Sequence, residues 1–330
     1  MLNVIIDPYI HCPYLYYTLD KCEYTSPIVN NTPRYYSKES FKNKYDFCYT
    51  TNIDYEKKYD ICFIVFPLLD IDPRHEPTRH RSTFPFLKKL TQSIRADKII
   101  IFDNHDYAYV PEKKLLEDLK FNFILKRNFH CNFSYDNRIK PFHFLDCCGK
   151  IDSIFLLINR QKYKNITEEK NNKIWFSGSI YNHNDNIFNC YTSRKKIYKF
   201  IKKSKKIRFV SNMQHAEYLK NIGNYKYALS LMGCSSWGTR HFEILVQDTV
   251  LFSQRCDTTP DPKNHVFPFE EGDSFSEFNF FDSYEDLIKK YDILENDLEK
   301  YREVLKNQKL VIEKYYNYTN IKNYIFKLIS

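Results

Sequence analysis

Glycine is scarce in this chain, with 6 residues in 330. A glycine-rich phosphate loop needs several glycines within a few positions. With so few, the common glycine-rich phosphate loops are scarce here. The ten cysteines form no C-x-x-C, and Cys147–Cys148 is their one adjacent pair. That spacing argues against a zinc framework. With no signal peptide at the start, scattered cysteines among apolar residues read as reduced thiols in a cytoplasmic protein. Long apolar runs are missing as well. Residues 61–69 and 154–158 fall far short of a membrane-spanning helix. No solenoid repeat and no low-complexity tail is present.

What is present points to a globular chain of two domains. Hydrophobic residues make up 43%, and 330 residues suffice for two separate cores. The 28 tyrosines and 27 phenylalanines, beside abundant Lys, Asn and Ile, fit an A+T-rich genome. Counts of Lys or Tyr therefore carry little functional weight. The net charge of +9 attracts phosphates, nucleic acid and anionic membranes without choosing among them.

Short apolar runs alternate with helical stretches. Residues 2–6, 61–67, 98–102 and 123–125 are rich in Ile, Val and Phe and lack two-residue alternation. They read as strands covered on both faces of a parallel sheet. Residues 111–119 begin with proline and read as a helix. In the second half the expected strands are 173–176, 207–210, 227–232 and 249–253. The expected helices between them are 193–203, 216–222 and 239–247. From residue 283 the chain turns helical, over 284–291, 296–312 and 319–329, with Thr319 as N-cap of the last. Strand–helix alternation of this kind implies βαβ units and doubly wound sheets. A seam is expected between residues 137 and 170.

Residues 227–252 carry the clearest chemistry. A strand ends at Gly233, a small polar loop closes at Gly238, and a helix begins near Thr239. Helical periodicity puts Arg240, Glu243 and Gln247 on one face and Phe242, Leu245 and Val246 on the other. The apolar side packs on the sheet, and the polar side meets the carboxyl edge of the strands, where open parallel sheets bind ligands. A helix start and a guanidinium fork suit a diphosphate. Glu243 can accept hydrogen bonds from vicinal hydroxyls.

This segment resembles the donor-binding motif of the GT-B glycosyltransferases. There a glutamate, seven residues and a second glutamate precede a small turn and an apolar strand. Glu243 falls on the second glutamate and Gly238 on the glycine between them, while Ser235 stands where the first would be. Gly238-Thr-Arg240-His-Phe-Glu243 is similar to the variant in glycosyltransferase-family-1-like and exostosin-like donor domains. Trp175-Phe-Ser-Gly178-Ser, followed by Arg194, resembles the opening strand, glycine turn and basic helix of the same domain.

The resemblance implies an α/β chain of two Rossmann-like doubly wound parallel-sheet domains facing a cleft. Residues 1–150 would bind the acceptor and 151–315 the nucleotide-sugar donor, with 316–330 a helix packing back on the first domain. It implies a glycosyltransferase acting on a glycan, protein or lipid acceptor. Gly178, Arg194, Ser235, Gly238, Arg240 and Glu243 would bind the donor. No metal or other cofactor is implied, because the helix dipole and Arg240 can offset the leaving-group charge. An inverting enzyme of this kind needs a general base. His11 lies in the loop after the first strand, with Asp7 as an alternative. Asp106, in Asp103-Asn-His105-Asp106, follows the third expected strand. Ser235 in place of a glutamate leaves open a non-catalytic nucleotide- or glycan-binding protein.

Three other features compete for a role. Asp70-Ile-Asp72 resembles the metal motif of GT-A glycosyltransferases. Lys126-Arg127 reads either as a phosphate contact or as an exposed strand end. The basic run 193–208, with Ile197, Phe200 and Ile201 turned to the sheet, reads as a solvated face or a contact with an anionic membrane. No nucleic-acid recognition motif accompanies it.

Overall fold

Apolar runs without alternation are satisfied only when both strand faces are covered. The computed structural model describes residues 3–7, 22–25, 49–50, 53–74, 77–105, 109–127, 129, 134–142, 169–178, 190–211, 213–231, 238–255 and 275–329. The chain divides into two compact units, residues 1–152 with 318–330, and residues 153–317.

The first unit holds β1 (Asn3–Ile6), β2 (Cys22–Thr25), β3 (Tyr49–Thr50), β4 (Tyr59–Val65), β5 (Ala96–Asp103), β6 (Phe123–Lys126) and β7 (Ile139–Pro141). Their order is β3-β2-β1-β4-β5-β6-β7, parallel throughout. Ile5 stands opposite Phe63 and Ile64 opposite Ile101, and β4 is buried from Ile61 to Val65. Helix α1 (Pro77–Ser93) was not expected from the sequence, because its first turns are charged and Pro85 lies inside it. Its Leu87 and Leu90, with Ile94 just beyond, join Cys62, Ile64, Phe66 and Ile99 in one apolar cluster. Helix α2 (Lys113–Glu117) is shorter than the expected 111–119. Glu112 is its extended N-cap and Leu119 lies past its end. Strand β7 ends in proline, which an edge strand tolerates because no ladder partner needs that N–H.

The second unit holds β8 (Asn171–Ser177), α3 (Cys190–Ile201), β9 (Ile207–Val210), α4 (His215–Ile222), β10 (Tyr225–Ser230), α5 (Thr239–Leu245), β11 (Val250–Gln254), β12 (Phe280–Phe281), α6 (Tyr284–Asn296) and α7 (Leu298–Tyr315). The sheet runs β12-β11-β10-β8-β9, again all parallel. Asp248 turns the chain from α5 into β11 with φ 53°, a left-handed conformation that Asp adopts more readily than most residues. Strand β12 pairs with Ser253 and Gln254, and among the described residues no strand flanks the start of β11 on that side. The buried Gln308 of α7 supplies the partner: its Oε1 accepts from Leu251 N at 3.0 Å and its Nε2 donates to Thr249 O at 2.9 Å. Ser283 and Asp297 cap α6 and α7, accepting from Asp286 N and Lys300 N.

On α3, Ile197 and Ile201 are buried as expected, but Phe200 is not. It is 49% exposed and stacks on Tyr284 with ring centroids 5.2 Å apart. Its helical phase carries it to the edge of the buried stripe, where α6 meets it. The last helix, α8 (Tyr318–Ile329), belongs to the first unit. Tyr324 donates its hydroxyl to Pro141 O at 2.6 Å and packs its ring on Phe142. The helix starts at Tyr318, so Thr319 lies inside it and is not the N-cap. Among the described residues, no helix is long and apolar enough to cross a membrane.

Candidate functional site

In the second unit β9 and β10 lie on opposite sides of β8, so the sheet order reverses there. The carboxyl ends flanking such a reversal are where a crevice opens in a parallel sheet. Gly178 follows directly on the last residue of β8. A Cβ at that position would meet Phe176 Cζ at 3.2 Å, Arg194 Nη2 at 3.3 Å and Arg240 Nη1 at 3.3 Å. Two guanidiniums, from α3 and α5, therefore converge on one glycine. Arg194, expected in the donor site, is buried, so it stands apart from the solvated face read for the rest of the basic run. The lysines around it behave as expected: Lys196, Lys199, Lys203 and Lys205 are exposed. The Arg240 guanidinium lies over the Phe176 ring, 5.6 Å from its centroid. Among the described residues, Arg240 Nε is buried without a hydrogen-bond partner.

Helix α5 spans seven residues and ends at Leu245. So short a helix contributes little dipole, and the positive charge here is that of the arginines. Its polar side is also less open than the periodicity implied: Glu243 and Gln247 are both buried, and Gln247 lies beyond the helix end. Gly238 is the N-cap, with φ −125°, extended backbone open to any residue. The junction is held instead by His241. Its Nδ1 accepts from Gly238 N at 3.0 Å, and its Nε2 donates to Ser253 Oγ at 2.9 Å. Burial, with the Arg240 charge adding, pushes His241 down to about 3. Between the ordinary histidine value and that one, the unfolded chain binds a proton that the folded chain does not. Stability from this residue is thus present above about pH 6.5 and is lost as pH falls toward 3. The second unit is expected to lose about 2 kcal/mol through His241 between pH 7 and 5. Both tryptophans, Trp175 and Trp237, fall in this unit, so urea unfolding followed by their fluorescence reads it. A His241→Asn variant is expected to be less stable at pH 7 and flatter with pH; an equal pH slope in the two proteins would contradict the assignment.

Glu243 is gripped by α4. His215 Nε2 lies 2.6 Å from Glu243 Oε1, and the buried Tyr218 hydroxyl interacts with both Glu243 and Arg240. Burial raises the Tyr218 phenol well above its usual range, with Glu243 adding to the shift. The sequence places His215 in residues 212–215, one of the loops whose side chains would set base and sugar preference, but assigns neither His215 nor Tyr218 a role. Their three-residue spacing, just after a strand of the same sheet, is the one signal that pointed to both.

In the first unit the carboxyl edge is also polar and buried. Asp7 follows β1, and Asp103 ends β5. Lys126 is no exposed strand end: it is fully buried, with Nζ 2.5 Å from Asp103 Oδ2. Arg127 is buried too. Asp103 Oδ1 accepts from Leu68 N at 3.0 Å and His105 N at 3.1 Å. Asp72 is engaged by Arg74, whose Nε and Nη2 reach its two oxygens at 3.0 and 2.6 Å. Asp70 lies in a short 3-10 helix, Leu68–Ile71. Among the described residues, no group of three or more His, Cys, Asp or Glu is placed to hold a metal. Ser235, His11 and Asp106 lie outside the described residues.

No family model matches the sequence, and no curated protein matches it either. Solved structures do match. T4 phage BGT in complex with UDP and Mn2+ is 12% identical, with both chains covered in full and a TM-score of 0.51. T4 phage BGT with its UDP-glucose substrate is 12% identical over the full length of both, with a TM-score of 0.52. The DNA modifying enzyme beta-glucosyltransferase, determined in the presence and absence of uridine diphosphoglucose, is 13% identical over both full chains, with a TM-score of 0.51. Likeness at such identities speaks to architecture, and it agrees with the two parallel sheets described above: the chain has the GT-B glycosyltransferase fold.

Proposed function

We propose that this chain is a glycosyltransferase whose second unit binds a nucleoside diphosphate sugar, with Arg194 and Arg240 on the diphosphate and Glu243 on the ribose hydroxyls. The observation that carries the reading is the convergence of two guanidiniums on Gly178, at the carboxyl edge where the sheet order reverses. Guanidinium forks match phosphate oxygens and keep their charge at any physiological pH. A missing Cβ lets a phosphate approach the backbone there. Charge building on the leaving diphosphate would be offset by the same arginines. Diphosphate binding is therefore expected to survive EDTA. Uridine is the favoured base, since the fold neighbours named above were solved with UDP or UDP-glucose. His11 and Asp106 remain the proposed general bases toward an acceptor hydroxyl.

Thermal unfolding against UDP, GDP, ADP and their glucose conjugates, followed by donor hydrolysis, tests the proposal. Stabilisation by UDP and UDP-glucose with slow hydrolysis is the expected result. Stabilisation without hydrolysis or transfer would favour a binding protein on the same fold. No response to any nucleotide would sink both readings.

A further inference from the structure

The ribose contact proposed for Glu243 leaves a question of orientation. A carboxylate on a flexible side chain selects a vicinal diol only if its oxygens are held toward it, since ordering it on binding costs free energy. Here Glu243 is buried, and two residues of a neighbouring helix hold it. His215 begins α4, and Tyr218 follows one turn later on the same face, their rings 6.3 Å apart and 22° from parallel. His215 Nε2 is 2.6 Å from Glu243 Oε1. The buried Tyr218 hydroxyl reaches Glu243 and Arg240 together. The His215 side chain is 34% exposed, so it stands at the rim of the cluster while its partner sits inside.

We infer that His215 is a positioning residue: it fixes the Glu243 carboxylate so that the site selects a ribose diol, and it contributes little to diphosphate binding. The inference rests on the donor-site reading and adds to it the source of sugar selectivity. With Oε1 taken by His215 and the Tyr218 hydroxyl also on the carboxylate, the lone pairs left over are held in a preset geometry for an incoming diol. Without His215 the carboxylate would rotate toward Tyr218 and Arg240, and the diol would have to pull it back.

The test is calorimetric titration of the whole chain with UDP and with 2′,3′-dideoxy-UDP, which has the diphosphate but lacks the diol. The wild-type protein is expected to prefer UDP by about tenfold or more, the worth of one hydrogen bond to a charged group. His215→Ala is expected to remove most of that preference by weakening UDP alone. His215→Gln, whose amide nitrogen can stand where Nε2 does, is expected to restore it. A preference that survives in His215→Ala overturns the inference, and so does equal weakening of both ligands or failure of glutamine to rescue. Equal wild-type affinity for the two ligands overturns it while leaving the diphosphate site standing. Wild-type binding of neither ligand overturns the donor-site reading and this inference with it.

Discussion

Lys126→Met is expected to lower the stability of the first unit by about 3–5 kcal/mol, the usual cost of removing one partner from a buried ion pair. Lys126 and Asp103 are both fully inaccessible in their side chains, at adjoining strand ends, with 2.5 Å between Nζ and Oδ2. Methionine fills similar volume but leaves the Asp103 charge in the core. Two backbone donors, Leu68 N and His105 N, still reach Oδ1, so the carboxylate is not stripped of every partner. That remaining support suggests a second variant. Lys126→Met with Asp103→Asn removes the charge but keeps an oxygen for both N–H groups, and is expected to recover more than half of the loss. Asp103→Leu would recover less, because both N–H donors would lose their acceptor and that of Leu68 is buried. Hydrogen exchange separates the units: protection should fall in β4, β5 and β6 and hold in β8, β10 and β11. Uniform loss in both units, or no loss in the first, would contradict the argument.

The same pair shows where sequence reasoning reaches and where it stops. The central strands were legible because Ile, Val and Phe in unbroken runs have no soluble alternative to burial on two faces. Strands β2 and β3 were not, since Cys22-Glu-Tyr-Thr25 and Tyr49-Thr50 are short and polar. They are strands because β1 offers β2 an edge to pair with, and β2 in turn offers one to β3. Helix α1 hid behind Pro85 and a charged start, although Leu87, Leu90 and Ile94 kept the helical step. Lys126, after an apolar strand, read either as a phosphate contact or as an exposed strand end. What it pairs with is set by β5–β6 register, which brings Asp103 opposite it across 23 residues of chain. In the second unit the motif segment gave Gly238, Arg240 and Glu243 their place after β10. The resemblance set Arg194 and Gly178 in the donor site with them, but no local pattern shows that Arg194 and Arg240, on separate helices, converge on Gly178. Residues from separate βα loops meet only through sheet order, and β8 standing between β9 and β10 is not written in any local pattern.

Arg240→Ala is expected to weaken UDP binding by about 30- to 100-fold, the loss of one or two charge-assisted hydrogen bonds to phosphate. Arg194→Ala is expected to cost a similar factor, while Ser235→Ala costs less than either. Arg240→Lys should recover only part of the loss, because an ammonium keeps the charge but gives up both the fork and the face-on contact with Phe176. Gly178→Ala tests the geometry without touching any charge. Its methyl would sit 3.2 Å from Phe176 Cζ and 3.3 Å from Arg194 Nη2 and Arg240 Nη1, so each would have to give by a few tenths of an ångström. The far ends of the arginines are flexible, and the fold should survive. The two guanidiniums would be pushed slightly off the point where they converge, and the methyl would stand in a phosphate's path to the backbone. UDP affinity is expected to fall at least tenfold with little change in the unliganded melting temperature, since each charge-assisted bond lost costs about 1.5–3 kcal/mol. The arginine variants differ from this in one respect. Like charges this close repel in the absence of an anion, so Arg240→Ala should melt no lower than the wild type when unliganded, even though Tyr218 and Glu243 lose a neighbour. Stability held and ligand response lost is the signature of a site built for an anion. An Arg240→Ala protein that melts well below wild type yet binds UDP normally would mean that the arginines brace the fold and that the phosphate lies elsewhere.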